Sequence, residues 1–184
     1  MANNAKNAST GKPKVGGAIF CAPANTSLPT DAISELAVAF KCLGYIGEDG
    51  VTNNDSLSVG KVKAWGGDTV LNYTDGHTDT FGAKLLEVLD INVLKAVYGE
   101  DNVSGDLSTG ITVKSNAKEK PYMVWVFEMV LTDGAIKRIV IPAGKVTELG
   151  EIKYADNEAI GYEVTIGTVP DTNGNTHYEY ILKA

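Results

Sequence analysis

The sequence is poor in the groups that most often carry out chemistry. Its 184 residues include two histidines, two cysteines and, among sixteen basic residues, one arginine, Arg138. Bidentate clamps on phosphate or carboxylate usually depend on arginine, so such clamps are not expected. Cys21 and Cys42 are too few for a disulfide framework, and two ordinary buried thiols are the expectation, since free cysteine is among the most buried residue types. No apolar run approaches the roughly 20 residues of a membrane-spanning helix. The N-terminus, "MANNAKNASTGKPKVGG", has no hydrophobic signal-peptide core, so synthesis in a cytoplasm is expected. A formal net charge of −7 argues against binding nucleic acid by gathering phosphates.

Reactive motifs are missing too. His77 and His177 show no metal-ligand spacing with nearby carboxylates and read as a residue beside a hairpin turn and a residue opening the last strand. "GKPKVGG" (11–17) lacks the spacing of a phosphate loop. "DTNGNT" (171–176) has its Gly misplaced for a calcium loop and no distal Glu, so it reads as a turn. Glu48-Asp49 and Glu100-Asp101 sit beside glycine as solvated turns. Asn-x-Ser/Thr triplets at Asn7, Asn25, Asn54, Asn72 and Asn102 lack a secretory context, and no GxSxG elbow presents a nucleophile. No catalytic residue, cofactor or metal is assigned; the chain does not read as an enzyme.

What is present is β structure. With 43% hydrophobic and 21% charged positions, the chain can core one domain. Residues 1–14 read as a flexible arm, and 15–184 as a single domain. "VGGAIFCAPA" (15–24) is a short strand, and "TSLPTDAISELAVAF" admits a short helix with Ile33, Leu36, Ala37 and Phe40 on one stripe. "DTVLNYT" (68–74) and "HTDTFGAKLLEV" (77–88) flank Asp75-Gly76, a hairpin signal. Asp90 caps a helix over "INVLKAVYG", with Ile91, Leu94 and Tyr98 on one stripe and Gly99 at its stop. Strands follow at 108–115, at 121–131 (Met123, Trp125, Phe127, Met129 and Leu131 on one apolar face), and at 135–142 after an Asp133-Gly134 turn. In 158–169, Ile160, Tyr162, Val164 and Ile166 oppose Gly161, Glu163, Thr165 and Gly167. The last strand, 175–184, points Tyr178, Tyr180 and Leu182 inward. Many strands and one helix indicate a mainly β sandwich or barrel with a flanking helix.

One stretch does not fit a compact domain. "LGYIGEDGVTNNDSLSVGKVKAWGGDTVL" (43–71) holds a long polar excursion, residues 47–64, read as an extended loop with Trp65 and Gly66-Gly67 at its foot. Val51, Leu57, Val59 and Val62 are spread thinly among Glu48, Asp49, Asn53, Asn54 and Asp55. So little apolar material does not offset the cost of ordering the segment within its own subunit. The expectation is an assembly arm whose Leu57 and Val59 enter a neighbour, with strand addition supplying backbone hydrogen bonds. Trp65 either plugs the end of the core or serves that arm. The small, polar face of Gly161, Glu163 and Thr165 is a second candidate contact surface.

The pieces "LPTDA", "LGYIGEDGVT", "VKAWGGDTVL", "VLKAVYGEDNV", "GITVKS", "KRIVIPAGKV", "GYEVTI" and "VPDTNGNTHYEY", in this order over roughly 18–181, resemble the tail tube (major tail) protein of long, non-contractile-tailed phages. That resemblance implies a β-sandwich with one flanking helix and hexameric rings stacked into a hollow tube, through which DNA passes to the host without specific binding. It further implies residues 47–64 as the loop reaching a neighbouring subunit or ring. The implied partners are further copies of the chain and the tape measure, tail terminator and distal tail proteins; no membrane is involved. The extra C-terminal immunoglobulin-like domain of some members is not expected here. The alternative is a monomeric carbohydrate- or ligand-binding β-sandwich with Trp65 and tyrosines as a stacking platform.

Overall fold

The computed structural model describes residues 3–183; residues 1, 2 and 184, the ends of the expected arm and domain, lie outside the described residues. Strands β1 (Gly11–Pro13), β2 (Ile19–Pro23), β3 (Lys41–Cys42), β4 (Ile46–Lys63) and β5 (Thr69–Leu85) precede the helix α1 (Ile91–Tyr98). It is followed by β6 (Val103–Ser104), β7 (Thr112–Val113), β8 (Met123–Leu131), β9 (Ile136–Leu149), β10 (Tyr162–Thr168) and β11 (Tyr178–Leu182). One antiparallel sheet runs β3-β2-β8-β9-β10-β5-β4, with β1 added to β8 and β11 to β9; β6 and β7 form a separate pair. The mainly β fold with one α-helix is as the alternation of the sequence leads one to expect.

The sheet closes on its own core. β5 and β8 lie three strand spacings apart in the sheet, roughly 14 Å if it were flat. Yet the rings of Phe81 on β5 and Phe127 on β8 stack at 5.4 Å. The sheet must therefore roll around the face that carries them. Trp125, Ile141, Val164, Ile166 and Leu85 fill the enclosed space, and the Trp125 indole donates to the carbonyl of Gly144 at 3.0 Å. α1 closes the core, burying Val93, Leu94, Ala96 and Val97, with Asp90 accepting from the Asn92 amide at its N-cap. The expected stripe is shifted: Leu94 is buried as read, while Ile91 and Tyr98 are half-buried at its margins. Tyr98 meets Tyr162 edge to face at 5.7 Å.

β8 is apolar on both faces because both are covered. Trp125 and Phe127 enter the main core, while Val124 and Val126 pack with Ala22, Phe40 and Val140 in a second cluster. Leu28 and Leu36 lie against that cluster, so the segment between β2 and β3 roofs it. This roof is not the short helix that its apolar spacing admitted. The Asp31 carboxylate accepts from the Ile33 and Ser34 amides, and Arg138 takes the Asp31 and Ser34 carbonyls at 2.9 and 2.8 Å. Those carbonyls are thereby withdrawn from any helical ladder, and Ile33 stays exposed.

Arg138 is buried, and its cross-strand partner is the buried Glu128. The Arg138 Nε donates to Glu128 Oε1 at 2.8 Å and Nη2 reaches the same oxygen. Lys14 donates to Glu128 Oε2 at 2.8 Å. One arginine and one glutamate thus tie the β8–β9 hairpin to the N-terminal segment and to the roof.

Several expectations about strands are corrected. The strand expected at 108–115 shrinks to Thr112–Val113, and the one at 135–142 extends to Leu149. Leu182, expected inward, is exposed because β11 is an outer strand paired with β9 alone. Residues 11–13 of the expected arm pair with 129–131. The segment 47–64 is not a loop: all of it but Ala64 lies in β4, and from Val51 to Lys63 it pairs with β5. Asp75-Gly76 is not a turn; it lies inside β5, where the register shifts opposite Ser58/Val59.

Leu94→Ala removes a side chain from under the sheet and should cost about 2–5 kcal/mol of stability through the cavity it leaves. Urea unfolding of the variant beside the wild type checks this; an unchanged midpoint would mean that the helix does not close the core.

Candidate functional site

The candidate site is the β4–β5 hairpin. β10 pairs with β5 only as far as Thr80, opposite Gly167, and β4 and β5 continue beyond that point with each other alone. From Asp79 to Thr69 the ribbon runs roughly 30 Å past the last third strand. Both of its outer edges leave backbone groups unpaired by any other strand, the usual template for strand addition.

The root of the ribbon is tied down by polar groups. Asp79 is 3% exposed; its carboxylate accepts from His177 Nδ1 at 2.6 Å and from the Asn53 amide at 2.7 Å. Thr168 donates to the Asp79 carbonyl at 2.9 Å, and Phe81 meets the His177 ring edge to face. Burial opposes the charge on Asp79, but hydrogen bonds from Thr176, His177 and Asn53 outweigh it and hold the carboxyl below its ordinary 3.8. His177 therefore does not simply open the last strand: it joins the final turn to the root of the ribbon. One step outward, Asp55 and His77 pair across the strands at 2.6 Å. His77 is a mid-strand residue, not a neighbour of a turn.

The outer ribbon is polar in composition but not in what it presents. Leu57, Val59, Val62, Val70, Leu71 and Tyr73 are all exposed. Register places Leu57 and Val59 on one face and the cross-strand pairs Val62–Leu71 and Gly60–Tyr73 on the other. The turn at the end spans 64–68, with the Ala64 amide donating to the Asp68 carbonyl at 2.7 Å. Gly66 and Gly67 take φ of +115° and +104°, a backbone region that L side chains rarely adopt. Trp65 sits in this turn with a relative exposure of 107%. It neither plugs the core nor marks the foot of the segment; it is the tip. No tyrosine accompanies it in a stacking arrangement: Tyr178 and Tyr180 stack on each other, against the second core cluster.

The remaining residues singled out from the sequence fall into three groups. Glu48 and Asp49 lie in an irregularity where four residues of β4, 47–50, bulge between Ile46 and Val51. Val51 packs on the core, Asn53 belongs to the root, and the Asn54 carbonyl accepts from Thr80 at 3.5 Å. On β10, Glu163 is exposed and Thr165 half-buried, while Gly161, just before that strand, is buried. A Cβ on Gly161 would come within 2.7 Å of the Lys84 side chain, and one on Gly167 within 2.7 Å of Thr147. The small residues on this face therefore admit side chains of the same chain. Sequence spacing missed the Asp79–His177 root, the Arg138–Glu128 pair and the outer apolar residues Val70, Leu71 and Tyr73 on β5. Only the last had a signal, the alternation within 68–74.

Among the described residues no group of three or more His, Cys, Asp or Glu is placed to hold a metal ion. No helix among them is long and apolar enough to cross a membrane. The site is a β body that carries a projecting ribbon with an exposed, apolar tip. The sequence matches the family described as "Phage tail tube protein" over residues 1–184, and the chain belongs to that family. It is a structural component of a phage tail that assembles into a tube with other tail proteins. No curated protein matches the chain.

Asp79→Ala strips the buried partner from His177 and Asn53 and should cost about 1–3 kcal/mol, with amide exchange accelerating at 53–57 and 77–81 before the core. Because the folded carboxyl titrates below its ordinary value, its contribution is present above the unfolded pKa and disappears as pH falls through the folded one. Wild-type exchange at the root should thus quicken below about pH 4, and Asp79→Ala should lose this dependence.

Proposed function

We propose that the chain forms hexameric rings that stack into the hollow tail tube of a long, non-contractile-tailed phage, the conduit by which DNA reaches the host. The observation that supports this most is the ribbon 54–79, which leaves Leu57, Val59, Val70, Leu71 and Trp65 exposed at the end of a two-stranded arm. An exposed hydrophobic surface on a rigid projection is the mark of an interaction site. Residues 47–64 with their β5 partners are the assembly arm, reaching a neighbouring subunit or ring. The N-terminal arm expected over 1–14 is then not a free extension on the 15–184 domain, since Gly11–Pro13 are laid along β8.

Head-to-tail contacts that close give rings, and repeated stacking contacts give an open-ended filament. The side of the sheet that carries Glu163 and Thr165, with Gly161 covered by Lys84 of the same chain, turns toward the lumen or a ring neighbour. The net charge of −7 suits a wall that must not hold phosphates: lumen carboxylates repel the duplex and keep it moving. The tape measure, tail terminator and distal tail proteins complete the set of partners. Subunits are made in the bacterial cytoplasm and function in the virion.

Replacing residues 56–77 with a short Gly-Ser turn tests the arm. The excision spares the root pair Asn53–Asp79 and the core, so the variant should fold and melt close to wild type. Negative-stain microscopy should then show long tubes from wild type and none from the variant. Normal tubes from the variant would make the ribbon decoration, and a wild-type chain that stays monomeric at every concentration and binds glycans would favour the carbohydrate-binding alternative.

A further inference from the structure

The ribbon has two ends, and both are unusual. At the far end stands Trp65, with Lys61 and Lys63 beside it on the strand that leads into the turn. Neither lysine has an ion-pair partner among the described residues. In a chain of net charge −7, residues 61–68 hold two lysines against a single acid, Asp68. At the near end, where β4 begins and β5 finishes, a groove of about 550 Å³ opens between the N-terminal segment and the β3–β4 connection. Val15, Gly17, Cys42 and Tyr45 supply its apolar wall, and Glu87 and Asp90 its acids. One oxygen of Glu87 accepts from the Tyr45 amide at 3.0 Å and one of Asp90 from the Asn92 amide at 2.8 Å. Val15 and Tyr45 stand exposed at its mouth. Lys14, also in the wall, is already committed to Glu128.

We propose that the Trp65 tip of one copy seats in this groove of the next copy, with Lys63 and Lys61 facing Glu87 and Asp90. The contact rests on the tube reading above and names the two surfaces that would make its lengthwise joint. Three features favour a second copy as the occupant. A tip cannot reach the groove of its own chain, because the two lie at opposite ends of the 17-residue β5, roughly 50 Å apart. The charges are complementary, which fixes register and disfavours other partners. Each copy carries one tip and one groove, so the contact is head-to-tail and propagates along the ribbon instead of closing on a pair. Tryptophan is the residue type most often found as the energetic centre of an interface, sunk in an apolar pocket with polar groups at its rim.

Cys42 provides a native reporter inside the groove, and Cys21 does not compete with it. Cys21 is buried, and burial, with Glu100 and Asp90 nearby, pushes its thiol up to about 12. In Trp65→Cys, a bismaleimide with a two-carbon spacer restores the reach lost with the indole. The expected result is a ladder of covalent multimers extending beyond dimers on a denaturing gel, abolished by adding Cys42→Ser. Lys63→Glu should weaken the ladder and Lys63→Glu/Glu87→Lys should restore it. Ala64→Cys, in the same turn, keeps the indole and is run beside Trp65→Cys. Cross-linking that survives Cys42→Ser, that stops at dimers, or that is absent from both cysteine variants overturns the proposal. Microscopy of untreated wild type separates the two readings. Tubes without a Cys42-dependent ladder overturn the seat and leave the tube standing. A ladder without tubes supports the seat and removes the ring-and-tube reading. The absence of both removes both.

Discussion

A two-stranded ribbon in water has no layer beneath it, and that constraint shapes the rest of the molecule. Hairpins without a third strand or a packing surface are marginal in isolation. This one is held straight by its own ladder and fixed at one end by a buried carboxylate shared between His177 and Asn53. Backbone pairing satisfies N–H and C=O groups whatever the side chains are, so a polar strand can be long provided its root is anchored. The apolar side chains farther out have nothing of their own chain to cover them. On the assembly reading proposed above, a neighbouring copy supplies that cover.

The body meets the opposite demand, to be rigid enough to carry a lever. Rolling the sheet brings Phe81 and Phe127 together, and α1 seals the space. On the outer face the same role falls to Arg138, the one arginine. Its guanidinium presents several donors in a fixed plane and uses them on Glu128, Asp31 and Ser34 together. A buried pair of this kind contributes little net stability compared with apolar packing, yet losing one partner is costly. Its effect here is to hold three separate segments in one arrangement.

The fold was legible where side chains alternate against a buried face. Trp125 and Phe127, or Tyr162, Val164 and Ile166, announce their strands, and Asp90 and Gly99 bracket the helix. The ribbon was legible as an anomaly but not as a shape. Its β4 half shows almost no amphipathic period because neither face is buried, so the polar residues 52–56 read as a loop. Asp75-Gly76 carries the sequence of a tight turn yet serves as a bulge, since the partner strand runs on past it and turns instead at Gly66-Gly67. That displacement moved Trp65 from foot to tip. Arg138 and Asp79 were silent for a different reason: each acts through partners distant in sequence, 107 residues to Asp31 and 98 to His177, and no local pattern encodes such pairings.

The ribbon leaves the body in one direction only. Any stack of identically oriented copies therefore has a sense, like an arrow, and its two ends are chemically different surfaces. If the ribbons run along the stack, one end presents bare ribbons, lysine-tipped and apolar, and the other an acid-rimmed body with no ribbon laid upon it. A subunit adding at the first end has to receive ribbons, whereas one adding at the second has to offer them, so the two ends are chemically distinct sites of growth. A filament of this chain is in that sense already addressed: which end starts and which end stops is decided by where β4 turns into β5.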